Sequence, residues 1–246
     1  MFGLFIFYPS LGYNLAKNFI SPTGWAWYTR IDENLILGAL PFKSMIKELK
    51  AQNVGGVVCC TEDFELKAAY TNAVQPEDWQ EHGIRFHHVP MHDFTGSASA
   101  ANIVRAVEFI ESIAADGRTC YVHCKAGRTR SATIAAAYLM HRHNYAPNVA
   151  YMALNIKRPQ VLLRAAHWQS LNSVAALYAA KNGGSSSGSL TPGVCSFFFF
   201  VLFFERLCRV DLLTLRCPMD EGAESTERGD HQGDFGDEDQ LRFQLH

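Results

Sequence analysis

Residues 25–182 show two hydrophobic periodicities, one typical of strands and one typical of helices. Short runs of β-branched and other apolar residues predict strands at residues 35–38, 57–60, 84–89 and 120–123. Helical spacing of apolar residues and strong helix formers predict helices at residues 42–52, 76–82, 98–115, 131–142, 147–156 and 164–180. Because strands and helices alternate, we predict an α/β fold with a mostly parallel central sheet flanked by helices.

Residues 1–24 precede this pattern and form a separate N-terminal segment. Residues 1–20 are apolar and aromatic, Lys17 is their only charged residue, and Pro9 interrupts the run. The run is short for a membrane-spanning helix, which needs about 20 apolar residues, and it lacks the basic residues typical of leader peptides. Two interpretations stay open: a membrane-interface anchor or targeting segment, or a segment packed on the domain.

Residues 183–246 differ in composition from the domain that precedes them. A glycine- and serine-rich linker at 181–189 is followed by an intense apolar run at 197–204 and by an acidic, glycine-containing stretch from residue 220. We predict a linker and a disordered tail over 183–246. A divergent extension without a chemical role is favoured over a second membrane contact.

Charge is distributed unevenly along the chain, although the formal net charge is only -2. Basic residues outnumber acidic ones over residues 1–184, whereas acidic residues dominate residues 220–239. A mildly basic domain suits an anionic substrate or lipid surface, and it is too weakly basic to indicate nucleic-acid binding. The seven cysteines show no metal-binding spacing, so we expect no metal site and a reducing compartment.

The strongest chemical signal is a His-Cys-x5-Arg-Ser pattern at residues 123–131, between a predicted strand and an alanine-rich helix. Loop amides and a helix N-terminus at such a position bind anions. The pKa of a thiol, ordinarily about 8.5, can fall to ~3.5–7.5 in such sites. Cys124 is therefore the candidate nucleophile. Arg130 can hold two phosphate oxygens, and Ser131 can donate a hydrogen bond to the thiolate. The alternative is a buried structural cysteine.

The residues between the thiol and the helix are the candidate substrate-binding residues. These are Lys125, Ala126, Gly127, Arg128, Thr129 and Arg130. We expect Lys125 and Arg128, together with an acidic loop at residues 62–65, to line the rim of the site, although a solvated surface is an equal alternative.

When a thiol attacks a phosphate ester, the leaving oxygen needs a proton donor, and this donor is expected on the loop after the strand at 84–89. Asp93 is the favoured candidate, since it lies 31 residues before Cys124, with room for one helix and one strand between them. His92 is the rival. His123 is expected to order the phosphate-binding loop rather than to act as an acid.

Together, these features resemble the cysteine-based dual-specificity phosphatases, which combine the His-Cys-x5-Arg-Ser/Thr loop with an upstream aspartate. Over roughly residues 5–180 the chain further resembles the mitochondrial phosphatidylglycerophosphate phosphatases within that family. The matching segments are residues 7–9, 27–31, 37–41, 62–65, 93–96 and 122–133.

The resemblance implies a phosphatase domain at 25–182 that works through a phosphocysteine, without metal or other cofactor. It implies that Cys124 attacks phosphorus, that Arg130 and the loop amides bind the phosphate, and that Asp93 protonates the leaving group. The implied substrate is the anionic phospholipid phosphatidylglycerophosphate, at the matrix face of the mitochondrial inner membrane, in cardiolipin synthesis. We expect a monomer that acts at a membrane surface. The alternatives are a protein dual-specificity phosphatase and a phosphate-binding pseudophosphatase.

One segment departs from the family pattern. The family carries Arg-Pro-Gly-Gln downstream, whereas this chain has Arg164-Ala165-Ala166-His167, so the glutamine has no counterpart unless Gln169 replaces it. Because that glutamine helps to place water in the family, turnover is expected to differ.

Overall fold

The computed structural model describes residues 2–183, and the predicted tail, with its apolar run at 197–204 and its acidic stretch from residue 220, lies outside them. The described strands are β1 (Tyr28–Arg30), β2 (Leu35–Gly38), β3 (Val54–Cys59), β4 (Arg85–His88) and β5 (Thr119–His123). The described α-helices are α1 (Phe2–Ile20), α2 (Ile46–Ala51), α3 (Asp63–Leu66), α4 (Pro76–Glu81), α5 (Ala100–Ala115), α6 (Arg130–His143), α7 (Pro147–Lys157) and α8 (Ala165–Gly183).

The five strands form one sheet in the order β1-β2-β5-β3-β4. Only β1 pairs antiparallel; β2, β5, β3 and β4 run parallel, with Val122 of β5 opposite Leu37 on one side and Val58 on the other. The predicted α/β fold with a mostly parallel sheet is therefore confirmed. Because β5 lies at the centre, its carboxyl end borders the crevice in which open parallel sheets bind ligands.

Helices cover both faces of the sheet. Alternate strand residues such as Leu37, Val58 and Val122 pack with residues of α5, α6, α7 and α8 in the larger core. Their neighbours on the opposite face, including Ile36 and Val57, pack with Trp79 of α4 and with residues of α2 in a second core. This two-sided burial explains why the central strands are continuous apolar runs rather than alternating ones.

Helix α1 runs through Pro9 without a break. The single proton of the Ser10 hydroxyl is shared between the carbonyls of Ile6 and Phe7, at 2.6 and 3.0 Å, in the turn that contains the proline. Phe7 and Leu11 are buried in a cluster with residues of the α/β domain. No helix within residues 2–183 is long and apolar enough to cross a membrane.

Three local expectations differ from the structure. The predicted helix at 42–52 is divided into a 3-10 turn, Lys43–Met45, and the short α2. The strand predicted at 57–60 spans Val54–Cys59 and includes Gly55 and Gly56, where a Cβ would lie 2.5 Å from the Arg118 side chain and 2.4 Å from the Ile113 side chain. The acidic loop expected at 62–65 contains the helical turn α3, in which the Glu65 carboxylate accepts a hydrogen bond from the Glu62 amide at 2.8 Å.

Candidate active site

Cys124 lies immediately after β5, where the chain turns into α6, and only 3% of the residue is exposed. The preceding carbonyl, that of His123, accepts a hydrogen bond from the Cys60 amide at 2.8 Å. The carbonyl of Lys125 accepts one from the Leu40 amide at 3.2 Å. The neighbouring strands therefore hold the loop on both sides of the thiol.

The Cys124 thiol is set apart from the other buried thiols by its electrostatic surroundings. Burial alone would raise its pKa, but the Arg130 guanidinium and hydrogen bonds from Ser131 and from the Arg128 amide outweigh burial, so the pKa lies below its ordinary value. The Ser131 hydroxyl donates to the Cys124 sulfur at 3.2 Å. Burial raises the pKa of Cys59 to about 12 and raises that of Cys60 well above its usual range. Cys124 is thus favoured as the reactive thiolate.

Arg130 is the first residue of α6. It is held by the buried carboxylate of Glu65, a residue of the loop expected at the rim. Its two terminal nitrogens donate to the two oxygens of Glu65, at 2.6 and 3.0 Å, and one of them also donates to the Met91 carbonyl at 3.1 Å. Glu65 is only 1% exposed. This bidentate pair fixes the plane of the guanidinium, and burial, which alone would lower the Arg130 pKa, is outweighed by Glu65, so the pKa is raised.

Asp93 lies between two cations. One carboxylate oxygen is 3.0 Å from an Arg130 nitrogen, and the other pairs with the Lys125 ammonium. Lys125 was expected at the rim, but it is buried, because Asp93 neutralises it and the rings of Phe94 and Phe7 lie 5.0 and 5.7 Å from its ammonium. The structure thus brings Asp93, Lys125 and Arg130 together around the thiol.

The two histidines considered as acids lie in different environments. The side chain of His92 is largely exposed, and its Nδ1 is 2.7 Å from a Glu62 oxygen. His123 is buried, and burial lowers its pKa to about 3, so its ring is neutral at physiological pH. Neither histidine lines the cavity above Cys124, which favours Asp93 as the proton donor.

The loop depends on a close approach at Gly127, which has a φ of 64°. A Cβ at this position would lie 2.5 Å from the Gly38 carbonyl carbon and 2.7 Å from an Arg158 nitrogen. Buried Arg158 donates to the Gly127 carbonyl at 2.8 Å, and also to the Ala26 carbonyl and the Thr29 hydroxyl, both at 3.0 Å. Arg158 therefore ties the loop to the segment that enters β1, a role that no local pattern indicates.

A cavity of about 270 Å³ opens above the thiol. The residues predicted to bind substrate line this cavity, with one exception. The exception is Gly127, which faces Gly38 and Arg158 instead. From the loop, the lining residues are Cys124, Lys125, Ala126, Arg128, Thr129 and Arg130. Helix α1 contributes Ser10, Tyr13 and Asn14. The wall is completed by Asp93, Phe94, Leu162 and Arg164. The N-terminal segment is therefore part of the site wall, which sequence analysis did not predict.

His167 and Gln169, which occupy the region of the family's glutamine, both lie outside this cavity. His167 is buried at the start of α8, and burial lowers its pKa. Gln169 is exposed on the same helix. Neither side chain therefore lines the space above Cys124.

Comparisons with known proteins agree with this geometry. The profile of the family described as "Dual specificity phosphatase, catalytic domain" matches residues 47–176. The chain is 36% identical over 182 residues to a rat (Rattus norvegicus) protein, "Phosphatidylglycerophosphatase and protein-tyrosine phosphatase 1", covering 72% of this chain and 93% of the relative. It is 37% identical over 166 residues to an Arabidopsis thaliana protein, "Phosphatidylglycerophosphate phosphatase PTPMT1", covering 68% of this chain and 47% of that relative's length.

Solved structures show the same architecture. The crystal structure of PTPMT1 in complex with PI(5)P matches with a TM-score of 0.60 and 34% identity, covering 63% of this chain and 99% of that chain. The structure of Tk-PTP in the active form matches with a TM-score of 0.55 and 25% identity, covering 62% of this chain and 98% of that one. The chain therefore belongs to the dual-specificity phosphatase family, whose members are phosphoric monoester hydrolases.

Proposed function

We propose that this protein hydrolyses the phosphate monoester of phosphatidylglycerophosphate through a phosphocysteine at Cys124. The observation that carries the chemistry is a buried thiol whose pKa is lowered, lying in a cavity with Arg130 and Asp93. A thiolate attacks phosphorus far better than a thiol does. Both parts of the phosphate-binding site are held in place, because Glu65 accepts hydrogen bonds from Arg130 and Arg158 donates one to the Gly127 carbonyl of the loop.

In the proposed first step, the Cys124 sulfur attacks phosphorus and the bond from phosphorus to the leaving oxygen breaks. Arg130 and the loop amides bind the equatorial oxygens, where charge accumulates. Protonated Asp93 gives its proton to the leaving oxygen, which departs as an alcohol. An incoming phosphate competes with the Asp93 carboxylate for Arg130 and Lys125, and the displaced carboxylate takes up a proton from solvent before it acts as this acid.

In the proposed second step, water attacks the phosphocysteine and the sulfur–phosphorus bond breaks. Asp93, now a carboxylate, takes a proton from that water. The Cys124 thiolate leaves with its electron pair, stabilised by the hydrogen bond from Ser131. Inorganic phosphate is released, and the thiolate and the protonated acid are regenerated.

The lipid substrate is supported by observations at the mouth of the cavity. The names of the rat and Arabidopsis relatives specify phosphatidylglycerophosphate hydrolysis, and the PTPMT1 structure contains the lipid PI(5)P. Helix α1, whose inner side lines the cavity, exposes Phe5 and Phe19 to solvent, at 77% and 89%. Exposed aromatic residues beside a phosphate site suit contact with a lipid surface.

We further propose that the protein works as a monomer at the matrix face of the mitochondrial inner membrane. Its product there would be phosphatidylglycerol, the precursor for cardiolipin. The support is the resemblance to the mitochondrial phosphatidylglycerophosphate phosphatases, together with the mildly basic composition of residues 1–184.

A substrate panel tests this function against its two alternatives. Phosphate release from phosphatidylglycerophosphate in vesicles is compared with release from phosphotyrosine and phosphoserine peptides, with Cys124→Ser as the blank. We expect a strong preference for the lipid. A strong preference for peptides would instead favour a protein phosphatase. No release from any substrate by the wild type would favour a pseudophosphatase.

A further inference from the structure

Two arginines line the outer part of the cavity without a carboxylate partner. Arg128 and Arg164 form no ion pair with any acidic side chain within residues 2–183. Both line the same cavity as Cys124. Unpaired guanidinium groups beside a phosphate-binding site are candidates for binding a second anion.

Arg128 is held in a defined position at the mouth. Its Nε donates to the Gln160 carbonyl at 3.0 Å, and its guanidinium carbon lies 5.0 Å from the centre of the Trp25 ring. The side chain is half-buried. Its two terminal nitrogens donate to no acceptor within the described part of the chain, so they remain available to a ligand.

Arg164 approaches from the segment that precedes α8. Its guanidinium carbon lies 5.7 Å from the centre of the Phe94 ring, next to Asp93 in the chain. The Leu162 amide donates to the Arg128 carbonyl at 3.0 Å, so the segment that carries Arg164 is attached to the phosphate-binding loop. The two arginines therefore belong to one connected framework, although Arg164 itself is exposed.

The inner cations of the cavity differ from these outer two. Arg130 is paired with Glu65 and Asp93, and Lys125 is paired with Asp93. Apart from Asp93, the rest of the wall carries neutral side chains, and α1 contributes three polar ones, those of Ser10, Tyr13 and Asn14. A substrate with one anionic group would occupy the inner site and leave the outer charges unmatched, whereas a substrate with two anionic groups would match both.

We propose that Arg128 and Arg164 form a second anion subsite, which binds the phosphodiester of a substrate whose phosphate monoester lies over Cys124. The inference rests on the proposed function and assigns the recognition of the lipid headgroup. A phosphodiester keeps one negative charge and two unesterified oxygens, which a guanidinium can hold through paired hydrogen bonds. The headgroup therefore spans the cavity, with the monoester at its floor and the diester at its mouth.

Asn14 provides a further polar group in the wall of the same cavity. It is 5% exposed, it lines the cavity, and its Oδ1 accepts no hydrogen bond from residues 2–183. A buried acceptor of this kind is stabilised by a donor. The hydroxyl of a glycerol unit that joins a monoester to a diester has this chemistry.

The test uses soluble substrates, so that membrane binding does not contribute. Glycerophosphoglycerophosphate, the deacylated headgroup, carries the monoester and the diester, whereas glycerol 3-phosphate carries the monoester alone. The measured quantity is the ratio of kcat/KM for the first substrate to that for the second. Full-length wild type is compared with Arg164→Gln, Arg164→Lys and a matched control, Arg105→Gln, in which an exposed arginine outside the cavity loses the same charge.

We expect wild type and Arg105→Gln to favour the two-anion substrate. In Arg164→Gln the ratio should fall at least about tenfold, mainly through KM, because one charge-assisted contact to the diester is lost. Arg164→Lys should restore part of the preference. A wild-type ratio near one, or an unchanged ratio in Arg164→Gln, would overturn the subsite. Hydrolysis of phosphatidylglycerophosphate vesicles by the same samples shows separately whether the proposed function stands.

Discussion

The lowered pKa of Cys124 depends on a small number of neighbouring groups. Burial alone would raise the Cys124 pKa. The pKa is nevertheless lowered, because the Arg130 charge and hydrogen bonds from Ser131 and the loop amides stabilise the thiolate. Glu65 is equally important, because it holds Arg130 at 2.6 and 3.0 Å from behind. The charge at the floor of the cavity is therefore positioned before a substrate arrives.

Replacing Ser131 with alanine should raise the pKa of Cys124. A hydrogen bond to a charged group contributes about 1.5–3 kcal/mol, which corresponds to roughly 1–2 pKa units. Because only the thiolate is alkylated, the pH midpoint for reaction with iodoacetamide should move upward by that amount, and the rate at neutral pH should fall. The reaction is followed by mass spectrometry of the Cys124 peptide as a function of pH.

The same experiment contains its own control. Burial raises the pKa values of Cys59 and Cys60, so these thiols should stay unmodified in both proteins. A midpoint that is identical in wild type and Ser131→Ala would show that Ser131 does not stabilise the thiolate.

At the residue scale, local spacing predicted which side chains of the loop lie near the thiol, but it did not predict their partners from distant segments. Cys124, Arg130 and Ser131 lie within one loop and one helical turn, so their proximity follows from the motif. Glu65 pairs with Arg130 across 65 positions of sequence, whereas the acidic loop around it predicted either a lining of the rim or a solvated surface. The burial of Lys125 likewise depends on Asp93, which a different loop provides.

The phosphate-binding loop is an element whose shape depends on contacts from other parts of the chain. Gly127 lies against Gly38 at the end of β2, and the Arg158 guanidinium joins the loop to the carbonyl of Ala26 before β1. Burial lowers the pKa of Arg158 to about 10, which leaves it charged at neutral pH. The loop is thus held on one side by β2 and on the other by a buried cation.

Gly127→Ala should disrupt this element more than an equivalent change elsewhere. Gly117 has a φ of 67° and open space, with nothing within 4 Å, where a Cβ would lie, whereas Gly127 has a φ of 64° and backbone at 2.5 Å. Gly117→Ala therefore isolates the strain of a left-handed residue, about 1–2 kcal/mol. Gly127→Ala adds a clash, for a total loss in the free energy of unfolding of about 3 kcal/mol or more.

Urea unfolding of both variants measures this difference, and phosphatase activity is measured on the same samples. We expect Gly117→Ala to stay active and Gly127→Ala to lose activity. Equal losses of stability in the two variants would mean that the close approach to Gly38 has no energetic consequence.

At the element scale, periodicity predicted the central strands and the long helices within residues 98–180, because these are buried and regular, but it did not predict that residues 2–20 form a helix. It did not predict that α1 forms the wall of the cavity. Pro9 suggested an interruption, and only the structure shows Ser10 donating to the carbonyls of the preceding turn and Phe7 buried against the domain. Contacts of this kind between distant segments leave no periodic signal in the sequence.

Considered as a whole molecule, the protein places an apolar surface next to a basic phosphate site. The outward side of α1 exposes Phe5 and Phe19, while its inward side contributes to the cavity that contains Cys124. A lipid phosphate entering that cavity would keep its acyl chains near these aromatic residues. This arrangement predicts that α1 positions the enzyme on the membrane that contains its substrate.

The double variant Phe5→Ser, Phe19→Ser should weaken binding to vesicles of anionic phospholipid by at least about tenfold, since burial of one large apolar side chain contributes roughly 1.5–3 kcal/mol. Binding is measured by co-sedimentation. The matched control is Ile156→Ser on α7, which replaces a residue that is 79% exposed. An equal loss in the control, or no loss in the double variant, would rule out α1 as the membrane contact.

The proposed mechanism requires a covalent bond between Cys124 and the phosphate of the substrate. It is tested most directly by rapid acid quenching of full-length protein during hydrolysis of phosphatidylglycerophosphate vesicles, followed by mass spectrometry of the Cys124 peptide. We expect a phosphorylated Cys124 that appears within one turnover, decays as inorganic phosphate is released, and is missing in Cys124→Ser. Phosphate release that continues in Cys124→Ser, or phosphate attached to a different residue, would contradict it.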